Sequence, residues 1–469
     1  MGEQDIIPMH SNLNMASYGF GKFLTEFVEI AFTSWLYYFY VRTIGVNSLI
    51  IGIAVVIYAI WNAVNDPLVG YLTNRPFKFT KKWGRRLPWV LIGGLLYILS
   101  YVLVFSPRVF LPDVDPKSGA WIFFIWFIAS TCIFDTFNSI FFVNFSALFP
   151  DKFRSVDERR KATGIQTPIG IIGIALGALL PPMIIIREEA VTFVINAGLV
   201  FIVGFIVLML SIPGCREDQI TIDRYLKMHE TEEKIPFFKT LNSSLKQKSF
   251  SSFIITYTLY RSLVICFQAS IPFFIEYILA EEEGTQTLLS AGFLIGALIS
   301  SPLWATIARK TNNNKKVMLI NSILMTIFTI PFIFLNNVTV AFIVLVLWGF
   351  GLGGFWTMIS PVLGDIIDES VVNTRKRQEG IFNGFLQFFG RLAILIQAIV
   401  FASVQTFTGF KEGQPLSTQP SSAIWGVHVH FALIPAIFML IAAIVFWRFY
   451  QLTPDKVKIH QDKIIELNL

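Results

Sequence analysis

A handful of side chains can do ionic chemistry inside otherwise apolar stretches of this chain: Glu26, Glu29, Asp66, Asp135, Arg261, Glu276 and Arg391. A charge at the centre of a bilayer costs about 2.5–3.5 kcal/mol on insertion scales, so such groups as a rule face inward, find partners and carry function. Glu26 sits roughly 15 Å into its stretch at about 1.5 Å per helical residue, and Asp135 and Arg391 are comparably deep in theirs. Asp66 lies about two turns from one end of its stretch, with Asn62 one turn further in on the same helix face. A carboxylate and an amide oxygen at that spacing can hold a hard cation, and a buried aspartate can instead carry a proton. We expect Glu26, Asp66 and Arg391 to meet in one central pocket. There two carboxylates against one guanidinium leave a place for a coupling cation. Arg391 would be a fixed counter-charge, because a guanidinium keeps its proton.

The elements that must position these groups follow from hydropathy. The chain has 469 residues, 54% hydrophobic and 14% charged, with a mean hydropathy of +0.63. A span needs about 20 apolar residues. Twelve stretches qualify, at 16–41, 47–72, 87–106, 120–149, 162–186, 190–213, 249–279, 287–308, 317–335, 339–364, 379–408 and 425–448. The formal net charge of +6 follows from topology and implies no nucleic-acid partner. Of 37 Lys and Arg, only Arg42, Arg108, Lys117, Arg187 and Lys411 fall on one set of turns, and only Lys22, Arg261 and Arg391 within spans. The rest lie on the other side, in loops 73–86, 150–161, 214–248, 309–316 and 365–378 and in the tail. By the positive-inside rule that side is cytoplasmic, with both termini on it. Lys22, near the inner interface, is expected to snorkel.

The three cysteines imply no disulfide framework, and no cleavable leader is expected before the first span, because the first ten residues are polar and that span is too long for a leader's apolar core. The sequon Asn337-Val338-Thr339 hugs the membrane in a short turn. His428-Val429-His430 is the only histidine cluster, and no nucleophile or metal motif accompanies it, so an enzyme is not expected. No cofactor is expected beyond a coupling ion, Na+ or H+.

The long polar stretch 214–248 divides the chain into a six-span half at 1–213 and another at 249–450, followed by a tail at 451–469. Signals recur at corresponding places. Asp66-Pro67-Leu68-Val69-Gly70 leads to Asn74-Arg75, and Ser301-Pro302-Leu303-Trp304-Ala305 leads to Arg309-Lys310. Arg160-Lys161-Ala162-Thr163-Gly164 is matched by Lys376-Arg377-Gln378-Glu379-Gly380. Two six-span halves with a solute site near the midplane are the plan of major-facilitator transporters. Glycines such as Gly173, Gly177, Gly349 and Gly353 read mainly as close helix packing.

Several motifs resemble one family. They are Ser17-Tyr18-Gly19-Phe20-Gly21, Trp61-Asn62-Ala63-Val64-Asn65-Asp66-Pro67-Leu68-Val69-Gly70, Gly84-Arg85-Arg86-Leu87-Pro88-Trp89, Gly364-Asp365-Ile366-Ile367-Asp368 and Arg377-Gln378-Glu379. The chain resembles the glycoside–pentoside–hexuronide:cation symporters, the melibiose-permease branch of the major facilitators, a wider group that includes the animal lysolipid transporters. The resemblance implies an all-α membrane protein of twelve transmembrane helices in two pseudo-symmetric six-helix halves. It also implies cation-coupled symport of a sugar or glycoside, with a lysophospholipid or other amphiphile as the alternative. By resemblance the cation site is Asp66, Asn62 and Ser139. Asn62 stands where the family has a second carboxylate, so oxygen-rich neighbours favour sodium and Asn62 favours a proton. Glu26 matches the family's sugar-gripping acid and Arg391 its lysine on the eleventh span. Phe142 and Ser146 replace the sugar-handling Asp and stacking Trp, and Gln166 replaces an Arg. A melibiose-like sugar is disfavoured by those departures.

Trp356 is expected to stack on a sugar face or line a lipid-tail groove. Asp365 and Asp368 are expected to act as gates, pairing with Arg85, Arg159 or Arg160. The remaining expectations are a plasma-membrane monomer, with a small-molecule solute and membrane lipid as its partners.

Overall fold

The computed structural model describes residues 10–73, 77, 80–153, 156–219, 222, 244–375 and 379–466. Most of the loop 214–248, the pair Asn74-Arg75 and the triplet Lys376-Arg377-Gln378 lie outside the described residues, as does the side chain of Arg160. The described secondary structure is helical throughout. The long helices are α1 (Asn12–Tyr38), α2 (Ser48–Thr73), α3 (Leu87–Val104), α4 (Ala120–Lys152), α5 (Val156–Leu179), α6 (Ala190–Cys215), α7 (Lys248–Phe274), α8 (Gly284–Thr311), α9 (Asn314–Thr329), α10 (Val338–Thr374) and α11 (Glu379–Thr408). Then α12 (Ser421–His428) runs through a π-helical turn (Val429–Leu433) into α13 (Ile434–Phe449), and α14 (Pro454–Glu466) closes the chain.

Among the described residues, 11 helices are long and apolar enough to cross a membrane, so this is a multi-pass membrane protein. The twelfth expected span is α1. It has the length, at 27 residues, but Lys22, Glu26 and Glu29 within it lower its apolarity. That polarity is the first structural sign that α1 faces something other than lipid.

Local chemistry sets the helix ends. Ser11, Asn313 and Asn337 each accept a hydrogen bond from the backbone N–H three residues on, capping α1, α9 and α10. The sequon asparagine Asn337 is thus engaged as a cap. The helices α1 and α7 end alike, each in a π-helical turn, Phe39–Ile44 and Ile275–Leu279. Each turn is closed by a left-handed residue, Gly45 and Ala280. The two ends occupy corresponding places in the six-helix period, which is a structural trace of the internal repeat.

The chain folds as two compact units, Met1–Val46 with Ile60–Glu233, and Asn47–Ala59 with Lys234–Leu469. In unit 1, α1 packs on α5 and α6, and α3 packs on α4 and α6. The motif Ser17-Tyr18-Gly19-Phe20-Gly21 is the hub of that packing. Ser17 donates to the Leu210 carbonyl at 2.6 Å and accepts from the Gly214 N–H at 2.8 Å. Tyr18 stacks on Phe145 and donates to its carbonyl at 2.7 Å. The α1–α5 crossing is closer still. A Cβ on Gly173 would lie 2.6 Å from the Phe23 carbonyl oxygen, and one on Gly177 2.5 Å from that of Phe27. Overpacking such a contact costs about 1–3 kcal/mol. Gly173→Ala should therefore lower the thermal midpoint of the purified protein. Gly198→Ala, where no atom lies within 4 Å, should leave it unchanged or raised. Equal midpoints for the two variants would contradict the packing reading.

The Gly84-Arg85-Arg86 motif builds a turn into α3. Gly84 has φ +86°, and a Cβ there would strike the Glu217 carboxylate. Glu217 accepts from the Arg86 N–H at 2.7 Å and the Leu87 N–H at 3.4 Å, so it caps α3 from a distant part of the chain. Burial pushes its carboxyl above the usual range, and those N–H donors with Arg85 and Arg86 oppose the shift.

In unit 2, α8 packs on α10, α10 also on α9 and α14, and α7 on α11 and α13. Stacked rings fill the centre: Phe267 on Trp348 and on Phe431, and Tyr260 on Phe355. The core of each unit lies between helices, which leaves the outward faces apolar for lipid.

Candidate functional site

Two helices of unit 1 bring together a set of buried oxygen-bearing side chains. On α2, Asn62 and Asp66 are one turn apart. On α4, Asp135 and Ser139 are one turn apart. The two pairs face each other in register. Asn62 donates to Asp135 Oδ1, and Ser139 donates to Asp66 Oδ1 at 2.5 Å, each across 73 residues of sequence. The constant offset means that α2 and α4 run parallel here. Asn65 links the two rungs. Its amide donates to Asp135 Oδ2 and to Ser139 Oγ, both at 3.0 Å. Asp135 and Ser139 are fully buried, and Asn62 and Asn65 nearly so. Trp61, beside the cluster, donates its indole N–H to Thr136 at 3.2 Å. That bond ties the lipid-side edge of the two helices together.

A carboxylate in such a place is costly unless it is hydrogen-bonded. Here amide and hydroxyl donors supply those bonds. The cluster can supply two carboxylates, amide oxygens and a hydroxyl oxygen, the donor set a hard cation prefers to sulfur or imidazole. No group of three or more His, Cys, Asp or Glu side chains able to hold a metal occurs among the described residues.

The remaining expected residues divide between the units. Glu26 is half-buried on α1, and Lys22 one turn earlier pairs with it at 3.1 Å. Lys22 lies along Gly170 of α5 with its ammonium on Glu26. This changes the expected charge count, because Glu26 has a cation of its own on the same helix. Phe142 is half-buried and Ser146 exposed one turn further along α4, and Gln166 is half-buried on α5. Arg391 is half-buried on α11 in unit 2, and Trp356 is exposed on α10. Of the other membrane charges, Glu276 is buried and Arg261 partly so, both in unit 2.

The expected gate residues have local partners. Arg85 pairs with Asp151 at 2.9 Å, and Arg159 donates to the Phe153 and Pro150 carbonyls. Asp365 accepts from the Asn314 amide at 3.0 Å, and Asp368 lies on the same helix, α10.

Asn65 and the central place of Asp135 were not assigned from the sequence. The signal was present in the spacing: a polar pair at i and i+4 on each of two apolar stretches, with Asn65 on the same helix face.

The family described as MFS/sugar transport protein matches residues 17–454. Among similar proteins, an uncharacterized symporter, sll1374, of Synechocystis sp. is 22% identical over 95% of this chain and 95% of its own length. The sodium-dependent lysophosphatidylcholine symporter 1 of Xenopus tropicalis is 22% identical over 82% of this chain and 77% of its own. Solved structures share the fold. The nucleoside transporter NupG superposes with TM-score 0.62 at 14% identity, over 94% of this chain and 100% of that one. The inward-open xylose transporter XylE of E. coli does so with TM-score 0.62 at 11% identity, over 95% and 98%. The all-α helix plan, the repeat seen at the ends of α1 and α7, and a family match over nearly the whole chain agree: this protein has the major-facilitator fold and belongs to the MFS/sugar transport protein family.

Proposed function

We propose that the protein is a sodium-coupled symporter whose solute is a polar-headed amphiphile of the lysophospholipid kind. The observation that carries the coupling is the α2–α4 ladder of Asn62, Asn65, Asp66, Asp135 and Ser139. With Asp66 alone, a proton and a sodium ion are evenly matched. Asp135 supplies the second carboxylate that Asn62 had taken away, and amide and hydroxyl donors surround both acids. Two anions among neutral oxygens favour a hard cation over a single proton.

Two observations support the amphiphile. The Lys22–Glu26 pair presents both charge signs 3.1 Å apart, which complements a zwitterionic headgroup better than an uncharged sugar. The sodium-dependent lysophosphatidylcholine symporters of Xenopus and mouse are also among the relatives. A sugar or glycoside is the second reading, favoured by the family's description and by the motif resemblance to the melibiose-permease branch. In both readings Arg391 is the fixed counter-charge on the second unit, with Phe142, Ser146, Gln166 and Trp356 at the solute. Asp365 and Asp368 would exchange their present partners for Arg85, Arg159 or Arg160 when the cavity turns outward. The basic loops and both termini face the cytoplasm of a plasma-membrane monomer.

The test is uptake in proteoliposomes under an imposed sodium gradient, with labelled lysophosphatidylcholine in one arm and melibiose in another. Lysolipid accumulation that collapses when potassium replaces sodium supports the proposal. Accumulation driven equally by a pH gradient in sodium-free buffer refutes the ion. Uptake of melibiose with none of lysolipid refutes the solute.

A further inference from the structure

We propose that Arg261, near the middle of α7, is a solute-binding residue that reads the anionic group of the solute, a phosphodiester. Its place follows from the internal repeat, whose register the backbone fixes to the residue. After α1, the Val46 N–H donates to the Tyr40 carbonyl at 3.0 Å. After α7, the Glu281 N–H donates to the Ile275 carbonyl at 3.1 Å. The residues just before those two donors are the left-handed ones, Gly45 and Ala280. Counted back from them, Glu26 precedes Gly45 by the same number of residues as Arg261 precedes Ala280.

Packing and exposure repeat with the register. As α1 packs on α5 and α6, so α7 packs on α11 and α13, and α3 packs on α4 as α9 packs on α10. Glu26 and Thr33 on α1 are polar, half-buried and two turns apart on one helix face. Arg261 and Gln268 are the equivalent residues of α7, and they too are polar and half-buried. Between Ser249 and Leu279 only Ile255 is exposed, so α7 is an interior helix. A charge at that depth, facing away from lipid, as a rule serves function.

The chemistry at the two equivalent places differs. On α1 the acid Glu26 has Lys22 one turn earlier, and on α7 the place of Lys22 is taken by Tyr257. The position that carries both signs on α1 thus carries a single positive charge on α7. A guanidinium keeps its proton, and its planar fork of N–H donors fits the unesterified oxygens of a phosphodiester in bidentate fashion. An uncharged sugar has no such group. A phosphodiester has two of these oxygens, so Arg261 adds a donor to Lys22 and does not replace it. The inference rests on the lysophospholipid reading of the solute and adds which of its groups unit 2 recognises.

The experiment is equilibrium binding of two labelled probes to the full-length protein in nanodiscs, in sodium buffer. Dodecanoyl lysophosphatidylcholine and dodecanoylcholine share an acyl chain and a quaternary ammonium, and only the first has a phosphate. Arg261→Gln should weaken the lysolipid by about 10-fold or more, the loss of a charge-assisted contact, and the acylcholine by less than about twofold. Arg261→Lys, which keeps the charge without the fork, should fall between. Equal losses for both probes would overturn the proposal, since a residue that merely shapes α7 would weaken both. Unchanged lysolipid binding by Arg261→Gln would overturn it while leaving the lysophospholipid reading in place. No lysolipid binding by the unsubstituted protein would overturn both. Should Arg261→Gln not fold, Arg261→Lys decides: an undiminished preference for the phosphate-bearing probe refutes the role.

Discussion

Asp135→Asn abolishes sodium-driven accumulation while leaving the protein folded: that is the largest effect expected from this structure. The substitution keeps the shape of the side chain and removes the acceptor that two amides, Asn62 and Asn65, converge on. Hydrogen bonds to charged groups contribute about 1.5–3 kcal/mol each. Losing the charge at a site with two of them should weaken the coupling ion by about 10²-fold or more. Asp66→Asn should do the same through its bond to Ser139. The double variant should be no worse than either single one, because the five side chains form one ladder connected through Asn65. Counterflow, which exchanges labelled for unlabelled solute without a net gradient, should survive better than accumulation. Full gradient-driven accumulation by Asp135→Asn would remove the ladder from the coupling mechanism. Loss by Asp66→Asn alone would return the site to a single carboxylate and reopen the proton.

The second large effect concerns the solute. Lys22→Gln should lower lysophosphatidylcholine uptake by about 10- to 150-fold, the loss of one charge-assisted contact worth about 1.5–3 kcal/mol. It should leave sodium-dependent thermal stabilisation of the purified protein intact, because the ladder lies on other helices. The reversed pair, Lys22→Glu with Glu26→Lys, should recover part of the uptake, since both charge signs are kept on one helix face at i and i+4 spacing. Normal lysolipid uptake by Lys22→Gln would show that the pair is structural. Equal losses of lysolipid and of an uncharged sugar would show that it shapes α1 rather than reading a headgroup.

Much of this was legible in the chain. Spans are legible because a bilayer tolerates little else than apolar helices, so their length and polarity are written locally. The repeat is legible because two halves carry similar turns at the same phase. Asp66, Asn62 and Ser139 were singled out through motif resemblance, and in the structure Ser139 donates to Asp66. The special role of the Ser17–Gly21 and Gly84–Arg86 motifs was not, because it consists of contacts to Leu210, Gly214, Phe145 and Glu217, far away in sequence. Their glycines and hydroxyl look like ordinary membrane-helix residues until the neighbouring helix is in place.

By itself the sequence determined the membrane class, the helix count to within α1 and the short roster of charges that apolar spans would not otherwise contain. It could not determine which of those charges share a partner. Glu26 was read against a distant arginine, yet its neighbour is Lys22. Asp135 was one acid among several, yet it is the fully buried end of the ladder. Pairing is decided by the relative rotation and axial register of helices, and these come from packing at crossings such as Gly173 on Phe23. A rotation of one residue, about 100° on a helix with 3.6 residues per turn, would turn Asp135 away from Asn62. Hydropathy would hardly change.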